Sequence, residues 1–225
     1  CFPIAFLQIY IIRKNVIELP EASGDRAGRV GVGKDLSVLI TGDSSACGVG
    51  VEYMEDSLSG HLMETLKKRY NCRWKILAES GLTTDGLIKL VDQDPKDYFD
   101  FAVIAVGMND IVAGKNAEKW LQEMILLNKI LTEKYKVSTI IISGIPPVRK
   151  LKHVPLPLRF VISSKAFVFD SYLKLICKKL EDRYYIGNNF PVNKETMAVD
   201  RFHPNSVYYK SWAIKISETL INIFD

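Results

Sequence analysis

Short apolar runs alternate along the chain with longer segments in which apolar residues recur every three or four positions. The short runs are continuous in apolar character, as strands covered on both faces are. We predict strands over residues 36–40, 74–78, 101–106, 138–142 and 184–186. Helical spacing predicts helices over residues 51–70, 84–91, 117–135, 163–180 and 206–223. This alternation predicts an α/β fold with a mostly parallel five-stranded sheet and helices on both faces.

The first 34 residues differ in character from the rest. Residues 1–12 are almost wholly apolar, and Arg13 and Lys14 follow them. Since a membrane-spanning helix needs about 20 residues, this stretch is either the remnant of a membrane anchor or an extra helix packed on the domain. Residues 18–34 are rich in Gly, Ala and charge, which indicates a linker or an irregular surface segment. We therefore divide the chain into an N-terminal segment, 1–34, and one domain, 35–225.

Composition narrows the classes of function. Of 225 residues, 48% are hydrophobic and 25% charged, which is typical of a soluble globular enzyme. The net charge of +4 is small for this length, and the basic residues are scattered along the sequence. Both features argue against a nucleic acid as partner. The four cysteines form no metal-binding spacing with the three histidines, so we predict no metal.

Polar residues interrupt the pattern where the predicted strands end. Ser44 follows the first strand, Gly81 the second and Asn109 the third, while Asp200 and His203 come after the fifth. Because ligand sites in parallel sheets form at the carboxyl ends of strands, these residues are expected to meet at one edge.

The residue types fit nucleophilic catalysis. Ser44 lies in a strand-to-helix turn, and a serine needs a positioned base to become a nucleophile. His203 is the best candidate base, because Asp200 three residues earlier can orient its ring. His61 lies within a predicted helix and His153 in a proline-rich loop, so neither is a better base. Ser45 is the rival hydroxyl.

A developing oxyanion needs hydrogen-bond donors. The side-chain amide of Asn109 is one candidate, and the backbone N–H groups of Ser44 and Gly81 are two more. Gly81 has no side chain to block the approach, although it also suits a plain turn.

Four sequence blocks in this order resemble the SGNH (GDSL) hydrolase family: Gly42-Asp43-Ser44, Gly81, Gly107-x-Asn109-Asp110 and Asp200-x-x-His203. The resemblance implies a three-layer α/β/α sandwich of flavodoxin-like type. It implies that Ser44, Asp200 and His203 form a catalytic triad, that Ser44, Gly81 and Asn109 form the oxyanion hole, and that no cofactor is needed. The apolar start and basic flank also resemble membrane-associated bacterial members, so membrane association and a cytoplasmic location both stay open.

Substrate choice is expected to depend on residues 146–160, a proline-rich apolar segment that forms either a wall of the cleft or a loop packed on the sheet. Leu156, Leu158 and Phe202 are the candidate substrate contacts. The expected substrate is a small-molecule ester or thioester. A carbohydrate O-deacetylase with the same machinery is one alternative, and a flavodoxin-like binding module without activity is another.

Overall fold

The structure is a computed structural model that describes residues 8, 11, 12, 14 and 17–224. Six strands of these residues form one sheet: Ala27–Val30 (β1), Lys34–Gly42 (β2), Tyr70–Ala78 (β3), Phe101–Ala105 (β4), Thr139–Ser143 (β5) and Arg183–Ile186 (β6). The α-helices of residues 17–224 are Leu58–Leu66 (α1), Thr84–Gln93 (α2), Met108–Val112 (α3), Ala117–Lys134 (α4), Leu158–Lys179 (α5) and Ser206–Phe224 (α6).

The sheet has the order β1-β3-β2-β4-β5-β6, and all neighbouring strands are parallel except β1, which runs antiparallel to β3. The predicted α/β class with a mostly parallel sheet is confirmed. The predicted number of five strands is wrong by one, because β1 was not recognised.

Helices cover both faces of the sheet, so the fold has three layers. Strand β4 shows this division directly. All five of its residues are buried, and their side chains point alternately to the two layers. Phe101 and Val103 pack in the layer that contains α1 and α6. Ala102 and Ile104 pack in the opposite layer with α2, α4 and α5. The carboxyl ends of the five parallel strands therefore meet at one edge, between two helical layers.

The segment 18–34 is packed against the domain rather than forming a free linker. Its β1 pairs with residues 72–75 of β3, and the guanidinium of Arg26 donates to the carbonyl oxygen of Ala78 at 2.9 Å. Ala22 is buried in the layer of α1 and α6. The sheet thus begins eight residues before the predicted boundary at residue 35, and the division into two units stays a prediction.

Two helices differ from their predicted bounds. The helix predicted over residues 51–70 is shorter, because residues 43–52 form turns and bends and Met54–Asp56 form a separate 3-10 turn. Ser57 caps α1 by accepting the N–H of Gly60. The last helix before β6 begins at Leu158 rather than at residue 163. Pro155 and Pro157 do not prevent this, since a helix start has N–H groups without intrahelical partners and tolerates proline there.

Most of the predicted apolar segment 1–12 lies outside the described residues. Of its described residues, Ile12 packs against the layer of α2, α4 and α5. Among the residues that the structure describes, no helix combines the length and the apolar character that crossing a membrane requires.

Candidate active site

Ser44 lies in the turn after β2, two residues beyond the last residue of the strand. Gly42 ends the strand, and a β-carbon there would collide with the carbonyl oxygen of Ala105 in β4. The N–H of Asp43 donates to that same oxygen at 3.0 Å, which fixes the turn against β4. Ser44 is therefore held at the carboxyl edge of the sheet, with its side chain half-buried.

Asp200 shapes the loop that carries His203. One carboxylate oxygen accepts the backbone N–H groups of Phe202 at 2.9 Å and of His203 at 3.1 Å. The other oxygen lies 2.5 Å from Nδ1 of His203. Arg201, between them, has a positive φ of 63°, which lets the chain turn tightly enough for both contacts. A single buried carboxylate thus orients both the backbone and the imidazole ring.

His203 also contacts Ser44, since its Nε2 lies 3.0 Å from the serine Oγ. The two loops come this close partly because Gly50 packs on the loop of His203, where a side chain would collide with the carbonyl oxygen of Pro204. The structure therefore brings together the three residues that were predicted as a triad.

The electrostatics of Asp200 suit this arrangement. Burial disfavours its charged form, but the hydrogen bonds from the ring and backbone of His203 and from Phe202 outweigh burial and lower its pKa. An ionised Asp200 holds a proton on Nδ1 of His203 and leaves Nε2 free to accept the proton of Ser44.

The rival residues lack the contact that Ser44 makes with His203. Ser45 also lines the cleft, and its backbone N–H donates to the carboxylate of Asp43 at 3.2 Å, but the described hydrogen bond of Nε2 of His203 goes to the hydroxyl of Ser44. His61 contacts the hydroxyl of Ser206 through Nε2 at 2.9 Å. His153 packs edge-on against Phe202, with ring centroids 4.6 Å apart. Of the three histidines, His203 is the one whose imidazole contacts Ser44 in the described part of the chain.

Asn109 and Gly81 lie in adjoining segments. Asn109, in the short helix α3, faces the cleft beside Ser44, and its amide nitrogen donates to the carbonyl oxygen of Leu82 at 2.9 Å. Gly81 has φ +83°, whereas a β-carbon at this position would meet no atom within 4 Å. The positive φ favours glycine at this position, because other residues rarely adopt that conformation. The free approach of an oxyanion to Gly81 stays a prediction. Gly81 is not among the described residues that line the cleft.

A buried ion cluster holds this loop in place. Asp110 is fully buried and accepts the N–H of Thr84 at 3.0 Å and its hydroxyl at 2.9 Å. The ammonium of Lys115 lies 2.5–2.7 Å from the carboxylates of Asp85, Asp110 and Glu123. Within the described residues, these three carboxylates are the group close enough together to hold a metal ion. The ammonium of Lys115 already supplies the positive charge between them.

The cleft beside Ser44 has a volume of about 220 Å³. Its wall is largely apolar and includes Val106, Met108, Val112, Ile145, Val148 and Leu151. Of the predicted substrate contacts, Phe202 lines this cleft. Leu156 and Leu158 do not: Leu156 is 64% exposed on the outer surface, and Leu158 begins α5 and is buried in the core.

Asp43, next to Ser44, is buried with a carboxylate that accepts one backbone N–H. Burial raises its pKa from 3.8 to about 7. The folded state therefore favours the protonated form, and this contribution to stability is complete below pH 3.8 and is lost as the pH rises through about 7.

We expect Asp43→Asn to make the free energy of unfolding less dependent on pH over this interval, because the amide has a similar shape and cannot ionise. The difference of about three pH units corresponds to at most about 4 kcal/mol. Urea denaturation of both proteins between about pH 4 and about pH 8 measures it. The lowered pKa of Asp200 makes stability rise with pH in both proteins, so this effect cancels when the two are compared. If the two plots of unfolding free energy against pH were parallel, Asp43 would not have a raised pKa.

A parallel sheet with a serine, a histidine and a carboxylate in contact at its carboxyl edge defines an α/β protein arranged for nucleophilic catalysis. The model of the GDSL-like Lipase/Acylhydrolase family matches residues 40–210. The chain therefore belongs to this family, and it is a hydrolase that acts on ester bonds. Among curated proteins, none matches the chain.

Solved structures share the fold at low sequence identity. The psychrotrophic esterase EstA from Pseudoalteromonas sp. is 18% identical, with a TM-score of 0.64 over 84% of this chain and 98% of that chain. A lipolytic protein of the G-D-S-L family from Veillonella parvula is 16% identical, with a TM-score of 0.63 over 82% and 98%. A carbohydrate acetylesterase family member from Sinorhizobium meliloti is 16% identical, with a TM-score of 0.62 over 82% and 97%. The predicted fold and family are confirmed.

Proposed function

We propose that the protein cleaves small carboxylic esters or thioesters by using Ser44 as nucleophile, His203 as general base and acid, and Asp200 as the group that orients His203. The contact of Ser44 Oγ with His203 Nε2 at 3.0 Å, on the wall of an apolar cleft, carries this proposal. A non-catalytic binding module would not need a hydroxyl, an imidazole and a buried carboxylate aligned in this way.

The steps follow from the geometry. His203 Nε2 takes the proton of Ser44 as Oγ bonds to the carbonyl carbon, and the carbonyl oxygen becomes an oxyanion. The tetrahedral intermediate then collapses, and His203 returns the proton to the departing alcohol or thiol. Water attacks the resulting acyl-enzyme with His203 again as base, which releases the acid and restores Ser44.

The oxyanion would accept hydrogen bonds from Asn109 and from the backbone N–H groups of Ser44 and Gly81. One amide hydrogen of Asn109 is used by Leu82, which fixes the side chain, and the second is available for the oxyanion. Because Asn109 lines the cleft beside Ser44, its donor is the best supported of the three.

The cleft favours an acyl group over a sugar. Sugar recognition needs several polar side chains free to bind the ligand. Asn188 and Ser143 also line the cleft, but each already accepts a hydrogen bond from a neighbouring side chain. Met108, Val112 and Leu151 present apolar surface beside Ser44. We therefore place the acyl chain against this wall, with Phe202 at its side, and favour an acyl esterase over a carbohydrate O-deacetylase.

A chain-length series of p-nitrophenyl esters tests this function. Wild type should hydrolyse acyl chains longer than acetate with higher kcat/KM than acetate itself, and Ser44→Ala should hydrolyse none measurably. Acetylated xylan tests the deacetylase alternative. A preference for acetylated xylan over every aliphatic ester would contradict the assignment of substrate, and an active Ser44→Ala would contradict the mechanism.

The acyl wall gives a further expected result. Because Leu151 and Val112 line the cleft, Leu151→Trp or Val112→Trp should fill part of its volume and shift the preferred ester to a shorter chain. One misplaced methylene in an apolar pocket changes kcat/KM by about 10–200-fold. Acetate hydrolysis serves as the control and should stay within a few-fold of wild type. If acetate and longer esters lost activity equally, the acyl chain would lie elsewhere.

Replacing Asn109 should affect mainly the transition state, because negative charge grows on the carbonyl oxygen only as the intermediate forms. Asn109→Ala is expected to lower kcat by about 10²–10³ with little change in KM. Asn109→Asp should be at least as harmful, since a carboxylate would repel the oxyanion.

Asn109→Ala also removes the contact with Leu82, so unfolding has to be separated from catalysis. Active sites are therefore counted with a phosphonate, and kcat is expressed per labelled site. A near-normal kcat per site, with a lower melting temperature, would mean that Asn109 only holds the loop.

A further inference from the structure

One surface outside the cleft combines exposed apolar and basic side chains. Leu156, Phe160 and Phe167 are 64%, 70% and 74% exposed, and they line a shallow groove along the outside of α5. Arg149, Lys152 and Arg159 line the same groove. We call these six residues the docking face. Neighbouring exposed aromatic side chains on a soluble domain indicate a binding surface rather than scattered surface residues.

The charge of this region has one sign. Between Glu133 and Asp170 the sequence contains no acidic residue, whereas it contains seven basic ones: Lys134, Lys136, Arg149, Lys150, Lys152, Arg159 and Lys165. Within the part of the chain that the structure describes, Arg149, Lys152 and Arg159 form no ion pair. The docking face therefore fits a partner with negative charge and an apolar interior.

The docking face adjoins the cleft. In the short stretch 148–152, Val148 and Leu151 line the cleft, and Arg149 and Lys152 line the outer groove. A surface bound there would lie close to the cleft that takes the acyl group.

Gln8, within the apolar N-terminal sequence, contacts the docking face at Leu156. The side-chain amide of Gln8 donates to the carbonyl oxygen of Leu156 at 2.8 Å and accepts the N–H of Leu158 at 3.0 Å. In sequence, Gln8 lies within the apolar residues 1–12, which Arg13 and Lys14 follow. In sequence, apolar residues next to basic ones therefore occur both in the docking face and around Gln8.

We propose that the docking face binds the surface of an anionic lipid bilayer, with Phe160 and Phe167 entering the interface and the basic side chains contacting acidic headgroups. Aromatic and aliphatic side chains partition into the interface, and each basic residue near an anionic surface adds about 1 kcal/mol, or about fivefold in partitioning. A second copy of this chain is a poorer partner, because a two-fold interface would bring the same basic residues together.

Sedimentation with vesicles tests the proposal. The 225-residue protein should bind vesicles of equal parts phosphatidylcholine and phosphatidylglycerol, and bind phosphatidylcholine alone much more weakly. Arg149→Glu with Lys152→Glu should weaken binding at least about 25-fold, since two basic contacts are lost. Phe160→Ser with Phe167→Ser should also release the protein. Raising the ionic strength from about 0.1 M to about 1 M should weaken wild-type binding, because salt screens the attraction.

Matched controls lie at the opposite end of the sheet. Lys34→Glu with Lys96→Glu makes the same change in charge, and Tyr98→Ser removes an aromatic side chain that is 68% exposed; both should bind like wild type. Ser44→Ala should also bind normally, so failure of the proposed catalysis would leave this result intact. Equal binding to both vesicles, or normal binding by the docking-face variants, would overturn the proposal. The proposal would also be overturned if the protein did not bind vesicles but self-associated in solution, and if Phe160→Ser with Phe167→Ser abolished that self-association.

Discussion

Replacing His203 with alanine is expected to lower kcat for ester hydrolysis by a factor on the order of 10⁶. The loss is large because His203 is the described imidazole in contact with Ser44, and a serine hydroxyl attacks an ester slowly unless its proton is removed. Hydrolysis of a p-nitrophenyl ester, followed at saturating substrate, measures it. The melting temperature should fall moderately, because the buried carboxylate of Asp200 loses the ring as a partner but keeps two backbone N–H groups, and circular dichroism should still show a folded protein.

The other two histidines are matched controls. His61→Ala loses a contact with Ser206, and His153→Ala loses packing against Phe202, so each should retain activity within about an order of magnitude of wild type. An active His203→Ala together with an inactive His61→Ala or His153→Ala would place the base elsewhere.

Asp200→Asn is expected to lower kcat by about 10⁴ while the fold is retained. Asparagine keeps the shape, and its oxygen still accepts the N–H groups of Phe202 and His203. Its NH₂ group, however, faces Nδ1 of His203, where the carboxylate oxygen now lies at 2.5 Å. A donor there drives the ring proton to Nε2, so that His203 can no longer accept the proton of Ser44.

Two measurements distinguish this from structural damage. The free energy of unfolding of Asp200→Asn should remain within a few kcal/mol of wild type, and KM should change far less than kcat. An equal loss in Asp200→Asn and in a variant that merely lowers stability, such as Leu131→Ala in the buried core away from the cleft, would indicate that Asp200 supports the fold rather than His203.

The central strands could be predicted because both faces of the sheet are covered. All five residues of β4 are buried, so their apolar run is continuous and easy to recognise. The edge strand β1 could not be predicted in this way. Its residues 27–30 are mostly exposed, and its place in the sheet depends on backbone pairing with β3, which leaves no pattern of apolar side chains.

The candidate triad was accessible to sequence reasoning for a related reason. Ser44 lies in the turn after a recognisable strand, and a spacing of three residues lets Asp200 reach both the ring and the backbone of His203. The role of Gly81 was harder, because a glycine signals either a need for space or a need for positive φ. The φ of +83° shows the second need, whereas the first concerns the approach of a substrate and stays a prediction.

The residues that form the wall of the cleft could not be predicted, because the three-dimensional path of the chain brings them together. Alternating apolar residues in the segment 146–160 suggested that Leu156 and Leu158 face a substrate. Instead the helix α5 begins at Leu158 and turns this side chain into the core, while Leu156 faces outward. Val112 and Leu151 line the cleft from separate parts of the chain, which no local pattern joins.

The most direct test of the central claim is the site at which a fluorophosphonate attaches, because the reagent traps a serine that a neighbouring base activates. Mass spectrometry of the intact protein and of its peptides should find one adduct per chain, on Ser44, and none in Ser44→Ala. An adduct on Ser45, or normal labelling of Ser44→Ala, would contradict Ser44 as the nucleophile.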